Sequence, residues 1–449
     1  MTPDRTTLDT PLTDASSKAS DHALMRKVTW RLLPILSLAF VVNYLDRVNV
    51  GFAGLTMRTD LGLTATQFGN AAGLLFLSYC FLELPSNIAL YRFGARVWLA
   101  RIMITWGILS AATALVTGPH SFYLVRILLG AAEAGFFPGV AYFIHCWFPP
   151  QHRARALALF TVAVPLSSVM GGPISSWFMK LDGVAGLHGW AWLFIGEALP
   201  AVIIGLVLPL LIADRPANAK WLSAEERTRL EDMIPPVPDR HRAALLPALR
   251  DKRVVMLSLV NFSYTLGSFG VSIWLPTIIN AHHLSTTATG YVTAIPYIFA
   301  CIGVLACGVT IDKGRNRVAL LALSCGGAAV GLVFSMIFSG LVPALIGMTI
   351  AVTGVNVARC VFWTIPGTFL SGKAAAGGFA LINTIGILGG YFGPLLVGWL
   401  KDVTGAFGAG VLAMAALLAL AVVLVALLSK ALHASMPASL PASLPKSPR

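Results

Sequence analysis

The chain has 449 residues, a formal net charge of +13, 57% apolar side chains and only 11% charged ones. So few charges cannot cover a water-exposed surface, which excludes an ordinary soluble enzyme and marks a membrane protein. The six cysteines form no Cys-x-x-Cys pair and have no histidine at ligand spacing, so neither a disulfide framework nor a metal site is expected.

In chain order, residues 1–27 are a polar tail carrying Asp4, Arg5, Asp9, Asp14, Lys18 and Asp21, without the basic-then-apolar order of a cleavable signal. A helix that crosses the hydrocarbon needs about 20 apolar residues. Twelve segments satisfy this, at about 28–52, 67–91, 97–117, 121–146, 155–178, 189–213, 254–280, 290–311, 317–339, 341–367, 375–399 and 406–429.

The first span holds Asn43-Tyr44-Leu45-Asp46-Arg47. A charge near the middle of a bilayer helix costs roughly 2.5–3.5 kcal/mol, so both Asp46 and Arg47 are expected to face a polar cavity or a partner. Being adjacent, they point about 100° apart and cannot share one partner. In the fourth span Arg126 and Glu133 lie two turns apart on one face, with Gly130 between them leaving room for a ligand or a neighbouring helix. The economical arrangement is a network in which Arg47 and Arg126 are balanced by Asp46 and Glu133. An incoming carboxylate would compete for an arginine, and protonation of an acid would release that arginine to bind it. The alternative is that Asp46 with Arg126, and Glu133 with Arg47, are buried ion pairs that only hold helices together. Tyr44 and Tyr79 are cavity candidates because their spans carry or adjoin these charges. Glu83 and Glu197 are expected to make local structural hydrogen bonds.

The long polar interruption, 214–253, contains Lys220 to Arg227, which reads as a short amphipathic helix, followed by Pro235-Pro236-Val237-Pro238. It separates a six-helix bundle over 28–213 from a second over 254–430, with a tail at 431–449. Two landmarks repeat 221 residues apart: Gly172-Pro173 with Gly393-Pro394, and Tyr91-Arg92 with Asp312-Lys313. Six spans plus six with a repeated pattern is a common build of secondary transporters.

In the second half Asn261 and Tyr264 lie one turn apart, and Asn356, Arg359 and Trp363 share one face of the tenth span. Arg359 is expected to meet a second acidic group, favouring a doubly anionic substrate; the competing view is that it caps a carbonyl or snorkels to an interface. Trp274 reads as an interfacial anchor. Gly386, Gly389, Gly390, Gly393 and Gly398 crowd the eleventh span, as close helix packing requires.

With the N-terminus in the cytoplasm, 26 of the 32 Lys and Arg fall on the cytoplasmic side, against Arg58, Lys180 and Lys401 opposite and Arg47, Arg126 and Arg359 in the membrane. The positive-inside rule then places both termini in the cytoplasm, and the basic charge needs no nucleic acid to explain it.

Several strings carry a resemblance. Gly308-Val309-Thr310-Ile311-Asp312-Lys313-Gly314-Arg315-Asn316-Arg317 resembles the loop signature of the major facilitator superfamily, and Asn87 with Tyr91-Arg92-Phe93-Gly94-Ala95-Arg96 is a degenerate copy lacking the acid. Asn43 to Arg47, Glu83-Leu84-Pro85-Ser86-Asn87, Arg126 with Gly130 to Gly139, Trp274-Leu275-Pro276 and Ala374-Ala375-Ala376-Gly377 together resemble its anion:cation symporter family, which includes permeases for tartrate, phthalate, hydroxyphenylacetate and galactonate. The resemblance implies an all-α membrane protein of two pseudo-symmetric six-helix halves that imports an organic anion by proton symport through alternating access. It assigns substrate binding to Arg47, proton coupling to Asp46 and Glu133, and substrate contacts to Trp363 and Asn383. It places Arg92, Gly94, Arg96, Asp312, Lys313 and Arg317 in a gating loop motif. It further implies no cofactor beyond H+ as coupling ion, a monomer, and a bacterial inner-membrane location. A drug-efflux antiporter shares the fold, but Gly172-Pro173 is followed here by Ile174-Ser175-Ser176 and not by the paired glycines of that family. Efflux and a non-transporting sensor stay as alternatives. No nucleophile–base or metal constellation points to an enzyme.

Overall fold

Apolar segments without water to bond their amides must satisfy them internally, and every long one here is a helix. The computed structural model describes residues 10–235, 251–312, 316–370 and 372–434. Twelve helical spans among them are long and apolar enough to cross a membrane: Ser20–Asp60, Ala65–Phe93, Ala95–Leu115, Pro119–Trp147, Pro150–Met179, Gly189–Leu211, Lys252–Asn280, Thr286–Gly308, Arg317–Ile337, Leu341–Phe362, Gly377–Thr404 and Gly408–Lys430. They are called the first to twelfth spans below. The protein is thus an all-α, multi-pass membrane protein, with twelve expected spans and twelve observed. Many large apolar side chains are exposed, among them Trp30, Leu115 and Leu210, as a lipid-facing surface requires.

Local sequence sets the helix ends. The second span opens on a capping box, in which Thr64 accepts from the Gln67 amide at 3.1 Å and Gln67 returns the bond at 3.0 Å. The ninth begins at Asn316, whose side chain accepts from Val318 and Ala319. Pro138 has no N–H to give the carbonyl four residues back, and the fourth span breaks there, with Ala134 extended and Gly135 left-handed at φ +90°. Glu133 is therefore the last residue of its helical segment.

Among the described residues the chain divides into two units. The first runs through residue 235 and also takes Ser272–Ile298, the end of the seventh span and the start of the eighth. The second comprises 251–271 and the chain from Phe299 onward. Within the first unit, Gly172 packs directly on the eighth span: a Cβ there would lie 2.2 Å from the Gly290 carbonyl oxygen. The matched prolines Pro173 and Pro394 both lie inside helices, in the fifth and eleventh spans.

The polar connection folds differently from the expected helix over Lys220 to Arg227. The helix is Ala224–Met233, because Ser223 and Glu226 form a capping box that fixes its start. Lys220 to Leu222 stay outside it, and Trp221 stacks on Trp147 with ring centroids 5.7 Å apart. Lys27 reaches Glu226 at 2.7 Å and Arg229 reaches Asp21 at 2.5 Å, tying this helix to the start of the first span. Pro236 to Pro238 lie outside the described residues.

Candidate functional site

Asp46 and Arg47 diverge as their adjacency requires. Arg47 turns to the fourth span, where its Nε donates to Glu133 Oε2 at 3.1 Å and its Nη2 lies 3.0 Å from the same oxygen. Three rings of the same unit surround its guanidinium, Tyr79 at 5.2 Å, Tyr44 at 5.7 Å and Phe76 at 6.0 Å to the centroids, which suits a delocalised cation. Glu133 is fully buried while the Arg47 side chain keeps 14% of its surface, so the arginine is the accessible half of the pair. The second carboxylate oxygen, Glu133 Oε1, is buried with no hydrogen-bond partner.

Asp46 turns to the third span. Trp106 Nε1 donates to Oδ2 at 3.2 Å, Ser110 Oγ donates to Oδ1 in a short hydrogen bond, and Asn49 Nδ2 adds a third donor at 3.2 Å. The expected balance of Arg47 and Arg126 by Asp46 and Glu133 therefore takes a particular form. Arg47 pairs with Glu133, while Asp46 is held by neutral donors and meets Arg126 only through the longer-range field. Arg126 is 1% exposed, and its Nε and Nη1 have no hydrogen-bond partner. A buried guanidinium with unused donors is costly, and it is a ready receptor for an anion.

Gly130 lies between Arg126 and Glu133, and the space it leaves is taken by a helix. A Cβ there would fall 2.1 Å from the Leu75 carbonyl oxygen of the second span. That contact brings Tyr79, one turn beyond Leu75, to Arg47.

Asn43 lies one turn before Arg47 on the first span. It is 1% exposed, and both its amide atoms lack partners. Asn49 lies one turn after Asp46 on the same span, whereas only the packing of the first span on the third brings Trp106 and Ser110 to Asp46. A buried Trp next to a small hydroxyl residue one turn on was the available signal.

In the second unit Arg359 donates from Nη2 to Ser268 Oγ at 2.8 Å and lies 5.9 Å from the Phe269 ring. Trp363, 38% exposed at the end of the tenth span, stacks on Phe379. Asn356 turns back to the Val352 carbonyl of its own helix. Asn261 donates to the Ile382 carbonyl at 2.9 Å and accepts from Thr265, so its amide joins the seventh span to the eleventh. Tyr264, 1% exposed, packs edge-on against Phe362 at 5.3 Å, and Asn383 is half-buried. Gly389 and Gly393 lie against the backbone of the seventh span, where a Cβ on either would fall 2.4 Å from a carbonyl oxygen.

The loop motif of the first unit, whose own string has no acid, meets one from elsewhere in the chain. Asp214, which follows the sixth span, accepts from the Arg96 amide at 2.8 Å, while Arg96 Nε donates to the Pro209 carbonyl. Gly94 sits at φ +85°, and a Cβ on it would fall 2.7 Å from Asp214 Oδ1, so glycine is required twice over. Arg92 lies over Phe93 at 5.6 Å. In the second unit Arg317 Nη1 donates to the Thr364 carbonyl at 3.2 Å. Lys313 lies outside the described residues, as does the Asp312 side chain.

Comparison with known proteins gives the family and the fold. The profile of the Major Facilitator Superfamily matches residues 36–370. A protein of Agrobacterium vitis named, provisionally, as a tartrate transporter is 44% identical over 404 residues, 89% of this chain and 90% of its own. The quinolone resistance transporter of Acinetobacter baumannii is 42% identical over 395 residues, 86% and 90% of the two chains. Among solved structures, a bacterial homolog of the human lysosomal transporter Spinster, in its inward-facing unoccupied form, superposes with a TM-score of 0.77. It is 17% identical and covers 92% of this chain and 99% of its own, a likeness of fold alone.

Proposed function

We propose that this protein, which belongs to the Major Facilitator Superfamily and is a transporter and not an enzyme, carries an organic carboxylate inward together with protons by alternating access. The observation that carries the reading is a buried cluster in one unit. It contains two arginines, one paired with Glu133 and reachable, the other, Arg126, with donors unused beside Asp46. An arginine fork fits a carboxylate, and a substrate carboxylate can replace Glu133 on Arg47 once a proton has neutralised the glutamate. Asp46, already held by Trp106, Ser110 and Asn49, is the second acid of the cluster.

In this reading Arg47 and Arg126 bind the anion and Tyr44 and Tyr79 line Arg47, while Asp46 and Glu133 carry the coupling. Arg359, with Trp363, Asn383, Tyr264 and Asn261, supplies the substrate-facing groups of the second unit, and Arg359 favours a second acidic group. The relative named for tartrate transport supports a dicarboxylate. The loop residues Arg92, Gly94, Arg96, Asp312, Lys313 and Arg317 take part in gating. The location is a bacterial inner membrane with both termini in the cytoplasm, and the unit of function is a monomer, without a cofactor other than the coupling proton.

A second reading, efflux by exchange against protons, is favoured by the similarity to the quinolone resistance transporter. The same arginine–glutamate exchange would serve it, because protonation also releases a cargo-binding site in an antiporter. Proteoliposomes decide between the two. Under an inward proton gradient the symport reading requires accumulation of labelled tartrate or another organic acid, and the efflux reading requires proton-driven export of a quinolone. Counterflow of the labelled anion separates either from a sensor that binds without transport.

A further inference from the structure

Glu197 of the sixth span is a buried acid that the proposed mechanism does not use. It is 4% exposed; Ser175 Oγ of the fifth span donates to its Oε1 at 2.8 Å, and its Oε2 is buried with no hydrogen-bond partner. Asn49 lies between this acid and Asp46: its Nδ2 donates to Asp46 Oδ1 at 3.2 Å, and its side chain also interacts with Glu197. Asn49 Oδ1 too is buried and unpartnered.

Among the described residues no cation acts on Glu197. From the first span it meets Asp46 and Asn49, and from the fifth span Ser175; the third span contributes Trp106 and Ser110 to Asp46 and no ionisable group to Glu197. Arg126 of the fourth span acts on Asp46. Asp46 also lies in the field of Glu133 of the fourth span, so the two acids share a buried network whose cation acts on Asp46 and not on Glu197. Two like charges so placed do not both stay ionised, and such groups titrate as a pair.

We infer that Asp46 and Glu197 form one proton-holding pair bridged by Asn49, with Glu197 acting as a positioning residue that sets when Asp46 gives up its proton. The use of that proton in transport rests on the proton-coupled reading above; the sharing itself does not, and can be measured without substrate.

The test is an infrared titration of the carboxylic-acid C=O band in the purified full-length protein, for wild type, Glu197→Gln, Asp46→Asn and the double variant. A shared proton predicts that either single substitution moves the midpoint of the remaining member's band at least one pH unit toward acid, a tenfold loss of proton affinity, and that the double variant loses the contribution of the pair while that of Glu133 stays. Two bands that vanish one by one, each without moving the other, would mean independent acids and overturn the inference. Asn49→Ala serves if Glu197→Gln does not fold, and must shift the same midpoint. In proteoliposomes, Glu197→Gln must also move the pH of half-maximal tartrate uptake toward acid by one unit or more, with KM at low pH unchanged. Wild-type uptake indifferent to pH would remove the symport reading while leaving the infrared result to decide the pair. An unchanged uptake profile in Glu197→Gln beside a pH-dependent wild type would overturn the coupling role of the pair.

Discussion

Arg47 places two donor nitrogens, Nε at 3.1 Å and Nη2 at 3.0 Å, on the same oxygen of Glu133, and the other oxygen of that glutamate is buried without a partner. A pair bonded through one oxygen is incompletely closed, which is what a contact that must open in each cycle needs. Arg47→Ala should abolish uptake while the protein reaches the membrane in normal amount. Glu133→Gln keeps the shape, loses the charge, and should retain exchange of labelled for unlabelled anion while losing accumulation against a gradient. Glu133→Ala should be less stable than Glu133→Gln, since removing one partner of a buried pair costs about 3–5 kcal/mol. Exchange and accumulation assays in one preparation, with surface labelling for membrane level, check all three.

Gly94 is fixed by backbone and by contact, at φ +85° with Asp214 where a side chain would go. Gly94→Ala should therefore destabilise the protein by about 1–3 kcal/mol. Asp214→Ala should reproduce part of that loss, because the Arg96 amide then lacks its acceptor. Thermal unfolding of the purified variants in detergent measures both, and equal midpoints for Gly94→Ala and wild type would count against the contact.

Gly130→Ala forces a methyl group onto the Leu75 carbonyl 2.1 Å away and must push the second span from the fourth. Overpacking of this kind costs about 1–3 kcal/mol. Because Tyr79 rides on the displaced span, anion affinity should fall along with stability, whereas Gly94→Ala should leave affinity largely intact. Substrate KM for the two variants, compared side by side, makes the distinction.

Arg359→Ala should cost the transporter its preference between a dicarboxylate and a monocarboxylate of similar shape, and Arg359→Lys should restore part of it. Competition for labelled uptake reads this directly. Unaltered discrimination in Arg359→Ala would return the residue to a purely structural contact with Ser268.

Lys27 and then the Ser223 amide, by bonding the Glu226 carboxylate, hold it below its ordinary value of 4.5. An acid whose pKa is lowered by folding stabilises the fold above its ordinary value, and that contribution is lost as pH falls through the lowered one. Hydrogen-exchange protection of Ala224–Met233, taken relative to the intrinsic rate at each pH, should accordingly be high at neutral pH and fall below about pH 4.5, with Glu226→Gln less protected already at neutral pH. Protection that ignores both pH and the substitution would mean the contact with Lys27 does not dock this helix.

Much of the fold was legible because its signals are local: twelve apolar stretches of sufficient length, a polar connection, and the Gly-Pro landmarks that recur in the fifth and eleventh spans. The divergence of Asp46 from Arg47 followed from helix geometry, as did the shared face of Arg126 and Glu133. Partners across spans were less accessible. Charge balance alone suggested Arg126 for Asp46, but neutral donors on the third span, Trp106 and Ser110, satisfy Asp46 equally well, and only helix packing chooses between them. Asp214 lies more than a hundred residues from the loop motif it completes, so the motif read as lacking its acid. The start of the connecting helix was misplaced because the Ser223–Glu226 capping box counts for more than the amphipathic pattern before it.

The most direct test of the account is proton movement during uptake. Addition of tartrate, or of whichever organic acid proves to be the cargo, to weakly buffered wild-type proteoliposomes should make the external medium more alkaline in step with uptake of label. Arg47→Ala should abolish both signals, and Glu133→Gln should break the link between them. Uptake of the anion with no accompanying change in external pH, or with acidification, would contradict symport through this cluster.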